Sequence, residues 1–277
     1  MTVPPVPQSL VGVTESRAMQ DNPKMATFSP LAWCNNNWRK ILSEFISTMM
    51  LVLFGCMSCL PVTGIDTTLY GPFGFGFVVM FNIQIFGHIS GAYMNPAVTL
   101  ASVLWGSTSI VLGIIYTIVQ CVGAILGYGI LMAVSSLDLV QGGVCVTGPY
   151  PGQNQFQTLG IEIALTAALA LINCGVWDPV NELKQDSAPI KFGLTIVGLS
   201  LAGGPLTGAS MNPARSLGPA VWTDHWNQHW VYWVGPLLGS GVSVLFYKYI
   251  FLKKRAVDCA YVATLMSLTD IQQVRNL

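Results

Sequence analysis

An eight-residue segment occurs twice in this chain, and each copy contains an Asn-Pro-Ala sequence. Residues 90–97 read SGAYMNPA and residues 207–214 read TGASMNPA, identical at six of eight positions. Asn is a favoured N-cap, and Pro suits the first helical position because its missing N–H would be unpaired there anyway. Each copy therefore predicts a helix start that carries an amide able to donate hydrogen bonds. The copies supply Asn95, Pro96, Ala97, Asn212, Pro213 and Ala214.

The apolar run after each copy is too short to cross a bilayer. Residues 98–105 and 216–222 predict half-helices that enter the membrane and stop. Irregular backbone at that depth must line a cavity or be buried in protein. The alternative is that each Asn merely caps a helix, which a single copy would favour. Two copies at one depth favour a pore.

The composition is that of a membrane protein. Of 277 residues, 52% are hydrophobic and 9% are charged, against about a quarter charged in ordinary globular domains. The formal net charge is zero, so nothing suggests nucleic acid as a partner. No Lys or Arg lies between Lys40 and Lys184. Six apolar stretches predict membrane-spanning helices with lipid around them: 39–61, 71–88, 108–134, 157–177, 189–205 and 230–252.

The positive charges predict the orientation of the chain. All except Arg215 lie before or at the start of the first stretch, near the connection between the fourth and fifth, or at the end of the sixth and beyond it. By the positive-inside rule, both termini face the cytosol. We expect a cytosolic N-terminal tail (1–38), a channel domain (39–252) and a cytosolic C-terminal tail (253–277), in a multi-pass protein of the plasma membrane.

A second feature repeats with the motif. Glu44 precedes Asn95 by 51 residues, and Glu162 precedes Asn212 by 50. The chain therefore reads as a duplicated three-span unit. Because an odd number of spans forces the second unit to insert upside down, we expect a functional site at the midplane where the units meet. The two repeats cover 39–134 and 157–252.

Two pairs of glycines have the spacing of close helix contacts. Gly123 and Gly127 form one G-x-x-x-G pattern, and Gly235 and Gly239 form another. Small residues at this spacing let transmembrane backbones approach closely. Chance spacing in a Gly-rich chain is an equally open explanation.

The cysteines give no sign of a metal site. The chain has seven, and its one C-x-x-C, at Cys56 and Cys59, has no second copy to pair with and no nearby His to complete a site. We interpret them as small apolar packing residues. We expect neither a metal nor a cofactor.

Together these motifs resemble the aquaporin, or major intrinsic protein, family. The resemblance rests on both Asn-Pro-Ala motifs, on the segment His88–Gly91 and on Arg215, and it extends over residues 38–252. It implies an all-α membrane fold of six transmembrane helices and two re-entrant half-helices, assembled as a homotetramer. It also implies a passive pore for water and small neutral solutes, into which both Asn amides point, with protons and ions excluded.

The resemblance also assigns supporting roles outside the motifs. An ionisable group within an apolar span is expensive and is normally buried and hydrogen-bonded. Glu44 and Glu162 are expected to accept hydrogen bonds from the pore-loop backbones. His88 resembles the family's pore-lining loop histidine.

The selectivity filter departs from the water-selective pattern. The counterpart of Arg215 in the first repeat is Val98, so only the second repeat carries a cation at this position. In water-selective members such an Arg is joined by an aromatic, a His and usually a Cys. The corresponding positions here are Phe75, Ser200 and Ala209. Because Ser replaces the His, we expect a wider constriction.

The residue after the filter Arg gives the opposite indication. Glycerol facilitators of the family usually carry Asp there, whereas this chain has Ser216. The combination resembles the insect glyceroporin branch, which makes glycerol and urea candidate solutes beside water. The alternative is a water-selective channel with little glycerol permeability. Since Ala209 stands at the mercury-sensitive Cys position, we expect weak mercurial inhibition there, with Cys56 and Cys59 as alternative targets.

Two other classes of protein are weaker candidates. An enzyme would need a nucleophile with a base, and no intramembrane Ser, Cys or carboxylate has a plausible His partner other than His88. We therefore do not expect an enzyme. A coupled transporter would need intramembrane charges for ions, and only Glu44 and Glu162 are candidates.

Overall fold

The computed structural model describes residues 30–64 and 66–252, so residues 1–29 and 253–277 of the expected tails lie outside it. The chain divides into two units, Met1–Trp38 and Arg39–Leu277. Only the start of the first helix is described in the first unit. The described helices are α1 (Pro30–Met57), α2 (Thr67–Ser90), α3 (Pro96–Trp105), α4 (Ile110–Val134), α5 (Gln155–Trp177), a 3₁₀ segment (Pro179–Ser187), α6 (Ala188–Thr207), α7 (Pro213–Thr223) and α8 (Val231–Ile250).

Six of these helices are membrane spans. Within the described residues, five segments are long and apolar enough to cross by composition alone, namely α1 from Trp33, α2, α4, α5 and the run Pro179–Thr207. Helix α8 is less apolar but has 20 residues, and is therefore about 30 Å long. That length matches the hydrocarbon core. Helix α1 already begins at Pro30, inside the segment expected to be a tail.

The two short helices begin at the repeated motifs, as expected. Helix α3 has Asn95 as its N-cap and helix α7 has Asn212, with Pro at the start of each. They contain 10 and 11 residues, about half the length needed to span hydrocarbon. Both are half-helices.

Equivalent helix pairs pack in the same way in the two repeats. A Cβ on Gly123 would lie 2.5 Å from the carbonyl oxygen of Phe45, and one on Gly127 would meet the backbone of Met49. The first glycine pattern therefore packs α4 against α1. In the second repeat, a Cβ on Gly239 would meet the backbone of Ile163, so α8 packs against α5. Both patterns lie at close backbone contacts, in agreement with the packing interpretation.

The two repeats also interlock with each other. Helices α2 and α6 meet where a Cβ on Gly193 would lie 2.9 Å from the carbonyl oxygen of Gly76. Each half-helix packs on the last span of the opposite repeat, α3 on α8 and α7 on α4. A Cβ on Gly218 in α7 would lie 2.7 Å from the carbonyl oxygen of Ala124. The half-helices are therefore held by both halves of the chain.

The backbone contact at Gly127 gives a stability prediction. In Gly127→Ala the new methyl group meets the main chain of Met49, which cannot rotate away. We expect the variant to lose about 1–3 kcal/mol, visible as a lower melting temperature in detergent. The matched control is Gly175→Ala in α5, where a Cβ has no heavy atom within 4 Å. The control should be unchanged or slightly more stable, since Ala is the better helix former. Equal melting temperatures for the two variants would contradict the proposed contact.

Candidate functional site

Most of the residues predicted to line a pore lie around one cavity of about 650 Å³. Its walls include the loops before both half-helices and residues from α2, α5, α6 and the third connection (135–154). The two motif asparagines and all four expected filter residues line it: Asn95, Asn212, Phe75, Ser200, Ala209 and Arg215. His88 does not. It is exposed in the last turn of α2, away from the cavity lining.

The two motif asparagines join the half-helices at their N-termini. The Nδ2 of Asn95 donates to the carbonyl oxygen of Met211 at 2.8 Å, and the Nδ2 of Asn212 donates to that of Met94 at 2.8 Å. The Oδ1 of Asn95 accepts from the N–H of Ala97 and so caps α3, and Asn212 caps α7 in the same way. Each amide nitrogen carries a second hydrogen. One hydrogen binds the repeats together, and the other can serve a solute in the cavity.

The loops that carry these asparagines adopt an unfavourable backbone conformation. Ala92 and Met94 have φ angles of 48° and 54°, and Ala209 and Met211 have φ angles of 43° and 51°. An L-residue in this left-handed region costs about 1–2 kcal/mol. The same two positions are affected in each repeat, so the loops need matching external support.

Glu44 supports the first loop. Its Oε1 accepts from the N–H of Tyr93 at 2.9 Å, and its Oε2 accepts from the N–H of Met94 at 2.8 Å. Ser90 Oγ and Gln120 Nε2 donate to the same carboxylate at 2.6 and 2.9 Å. The Glu44 side chain is fully buried. Two hydrogen bonds therefore tie the loop to Glu44 of α1, and two more, from Ser90 and Gln120, hold the carboxylate in place.

Glu162 supports the second loop with the same geometry. It accepts from the N–H of Ser210 at 3.0 Å and from the N–H of Met211 at 2.8 Å. Thr207 Oγ1 donates to Oε1 at 2.7 Å. This carboxylate is also fully buried. The two glutamates thus occupy equivalent positions, as their spacing in the sequence predicts.

The two half-helices place partial positive charge at the centre of the cavity. The N-terminus of a helix carries about half an elementary charge from its unpaired N–H groups. Because α3 and α7 meet N-terminus to N-terminus, these partial charges add at one point. Buried Arg215, in the first turn of α7, adds a full charge beside them.

Arg215 is fixed against the cavity wall. Its Nη1 donates to the carbonyl oxygen of Cys145 at 2.6 Å, and its Nη2 lies 3.5 Å from the Sγ of Cys145. Its Cζ lies 4.8 Å from the centre of the Phe75 ring, a cation–π distance. Only 7% of its surface is exposed. The Ser200 side chain, in contrast, is half-buried and makes no hydrogen bond to the part of the chain that the structure describes.

The third connection folds back over the cavity. Tyr128 Oη donates to the carbonyl oxygen of Val144 at 2.8 Å, and Thr147 Oγ1 donates to Ser216 Oγ at 2.8 Å. Cys145 lies between these two anchors and has a φ of 64°. The connection therefore forms part of the wall at Arg215.

The interpretation of all cysteines as packing residues is wrong. Cys56, in the last turn of α1, forms a disulfide with Cys145, with 5.3 Å between their Cα atoms. Sequence reasoning missed this bond because it weighed cysteines by spacing along the chain. The available signal was the expected topology, which puts Cys56 near the start of one outer connection and Cys145 within another. Disulfides persist on the outer side of a membrane.

Aromatic residues at the other end of the cavity were also missed. Tyr93 and Trp177 line the cavity with their rings edge to face at 6.0 Å, and Phe192 and Asn173 lie on the same wall. Tyr93 belongs to the repeated segment, but its counterpart in the second copy is Ser210. That difference between the copies was the available signal.

The chain matches known proteins over most of its length. The family model described as Major intrinsic protein matches residues 33–247. Aquaporin-4 of Mus musculus is 36% identical over 225 residues, covering 79% of this chain and 69% of that protein. The lens fiber major intrinsic protein of Lithobates pipiens is 35% identical over 218 residues, covering 78% and 82%. The structure of the aquaglyceroporin from Plasmodium falciparum shares the fold, with a TM-score of 0.67, 24% identity and coverage of 77% and 96%.

The hydrogen bonds of Glu162 give a second stability prediction. In Glu162→Ala, the N–H groups of Ser210 and Met211 lose their acceptor while they remain buried. We expect a loss of about 3–5 kcal/mol, measured as thermal unfolding in detergent. Glu162→Gln keeps one acceptor oxygen and should lose about half as much. A Gln variant as unstable as the Ala variant would argue against this hydrogen-bonding role.

The cysteine environments give a prediction about mercurials. Cys56 is bonded to Cys145, whereas Cys59 is a free thiol that lines the cavity. We expect an organic mercurial to slow water flow through this thiol, and Cys59→Ser to abolish the block. Cys121→Ser is the control, because Cys121 is free but does not line the cavity. Block that survives in Cys59→Ser and disappears in Cys121→Ser would contradict the assignment.

Proposed function

This chain belongs to the major intrinsic protein family and is a passive membrane channel rather than an enzyme, and we propose that it conducts water, glycerol and urea. The observation that carries the proposal is the composition of the constriction around Arg215. Phe75, Ser200 and Ala209 line the same cavity, and none of the three is a large polar side chain. In a pore that selects by diameter and by lining donors, small side chains admit larger neutral solutes.

Ser200 is the position that distinguishes a wide filter from a narrow one. Its half-buried hydroxymethyl group leaves a polar surface on the wall of the cavity. A polyol such as glycerol has hydroxyl groups that need donors and acceptors on one side and tolerate apolar surface on the other. Arg215 with Ser200 supplies the first requirement, and the Phe75 ring supplies the second. This arrangement supports passage of a solute larger than water.

The central charges support exclusion of protons and cations. Partial positive charge from α3 and α7 lies at the midplane, next to the Asn95 and Asn212 amides. A cation would lose hydration there and would meet the partial positive charge of both helix ends. A water molecule that accepts hydrogen bonds from both amides turns its oxygen toward them and cannot accept from neighbouring waters. The chain of hydrogen bonds along which protons move is then interrupted. We therefore expect flux of neutral solutes without ionic current.

A water-selective channel is the alternative. It is favoured by the contact of Arg215 with Phe75, which keeps a cation and an aromatic ring at the narrow point. Ser216 is also the residue expected for a water channel. On this reading, the missing imidazole at Ser200 does not change the solute range.

The same features support a proposal for the membrane, the orientation and the oligomeric state of the channel. We propose a plasma-membrane homotetramer with both termini in the cytosol and lipid around its outer faces. The Cys56–Cys145 disulfide supports this orientation, since it suits the oxidising side of the membrane. Exposed apolar residues on the spans, such as Ile114, Ile118 and Val242, supply surface for lipid and neighbouring subunits.

Substitution at Ser200 tests the solute range. In proteoliposomes, we expect wild type to re-swell in glycerol and urea gradients and to pass water under an impermeant osmolyte. Ser200→His should reduce glycerol entry by about tenfold, while water flow persists, because an imidazole fills the constriction. Ser200→Ala is the size-matched control and should keep glycerol entry. Water flow without glycerol entry in wild type would leave the water-selective alternative.

A further inference from the structure

We propose that the Cys56–Cys145 disulfide is a positioning element of the selectivity filter, which holds Arg215 against the cavity wall. The proposal rests on the proposed function only in placing the solute path at Arg215. The link is short. The disulfide fixes residue 145, and the carbonyl oxygen of residue 145 accepts from Nη1 of Arg215 at 2.6 Å.

The anchoring end of this link is rigid. Cys56 is completely buried in the last turn of α1, a helix packed against α4. A covalent bond to this site limits the movement of residue 145 to that of a membrane-spanning helix. The disulfide therefore transfers the rigidity of α1 to a connection outside the helices.

Cys145, at the other end of this link, needs such an anchor. Cys145 has a φ of 64°, a left-handed conformation that an L-residue keeps only where its surroundings enforce it. Its carbonyl oxygen points at Arg215 because of this conformation. Without the bond to Cys56, residue 145 can return to a more favourable backbone conformation and withdraw the carbonyl group.

Arg215 has few alternatives to this acceptor. A guanidinium carries five N–H donors, and the side-chain hydrogen bonds recorded for Arg215 among the described residues both go to Cys145. Phe75 contributes the face of its ring and no acceptor oxygen. Once released, the guanidinium can reach into the water-filled cavity, where water satisfies its donors. It then obstructs the path.

The rest of the connection should stay folded without the disulfide. Tyr128 still donates to Val144, and Thr147 still donates to Ser216. These hydrogen bonds hold the chain on both sides of residue 145. A disulfide that served only stability would change the amount of folded protein. One that positions Arg215 changes permeability per folded channel.

The experiment is a double-mutant cycle on permeability. Peptide mass spectrometry without reduction first verifies the Cys56–Cys145 linkage in the purified protein. Wild type, Cys56→Ser, Arg215→Ala and the double variant are then reconstituted, and water and glycerol permeabilities are measured per folded channel. Cys56→Ser keeps the sulfur of Cys145 beside Arg215 and removes only the tether. Cys121→Ser is the control for loss of a cysteine.

We expect Cys56→Ser to lower water permeability by about threefold or more, and glycerol permeability further, since residues linked through one network of bonds couple at this level. In the Arg215→Ala background, the same change should have no effect. Equal effects in both backgrounds, no effect in either, or a free Cys56 in the purified protein would overturn the proposal. Failure of wild type to pass glycerol would reject the wide filter alone, because water permeability still tests the positioning role.

A second route covers the case in which Cys56→Ser does not fold. Wild-type proteoliposomes are treated with a phosphine, which together with one water molecule converts the S–S bond to two thiols; the water supplies both thiol protons and the oxygen of the phosphine oxide. Water permeability should fall and should recover when a small disulfide reagent reoxidises the thiols and is itself reduced to its thiol form, whereas reduced Arg215→Ala should not change. An unchanged wild type after verified reduction would overturn the proposal.

Discussion

The structure depends on hydrogen bonds to the backbone of two irregular loops. These loops lie at a membrane depth where lipid offers no hydrogen-bonding partner. Each unpaired peptide group in hydrocarbon costs several kcal/mol, so a non-helical segment is tolerated only with protein partners. The carboxylates of Glu44 and Glu162 are those partners, and each accepts from two consecutive N–H groups. They make the left-handed turns at Met94 and Met211 tolerable. The half-helices, the asparagines that cap them and the cavity between them all follow from that support.

On this symmetric scaffold, the asymmetric residues distinguish the two ends of the cavity. Val98 and Arg215 occupy equivalent positions, yet only the Arg reaches across to the third connection. At the other end, Tyr93 takes the place that Ser210 has in the second repeat and packs against Trp177. The duplicated framework sets where the pore runs, and residues that differ between the copies set what lines it.

Much of the fold could be predicted because its signals are local or periodic. The half-helices follow from Asn and Pro, and the repeat follows from the nearly equal distances of Glu44 and Glu162 from their motifs, 51 and 50 residues. The start of α1 at Pro30 could not be read from hydropathy, since the polar run around Asn35 hides the first turns. The topology brings Cys56 and Cys145 to two connections, but their bond and the role of the Cys145 carbonyl could not be predicted from it alone. Both depend on how the third connection folds over the cavity, and a hydrogen bond to a main-chain oxygen leaves no mark on residue type.

The crossed hydrogen bonds from Asn95 to Met211 and from Asn212 to Met94 have a consequence for biogenesis. During synthesis, the first three spans emerge while Met211 and Asn212 have yet to be made. Until then the amide of Asn95 and the carbonyl of Met94 lack their native partners, and the nascent half must shield them with water or with the insertion machinery. Pore assembly is therefore a late event that completes only after the last third of the chain is inserted. A ribosome that stalls before α7 leaves a membrane-embedded intermediate with polar groups exposed, which is a recognisable substrate for quality control.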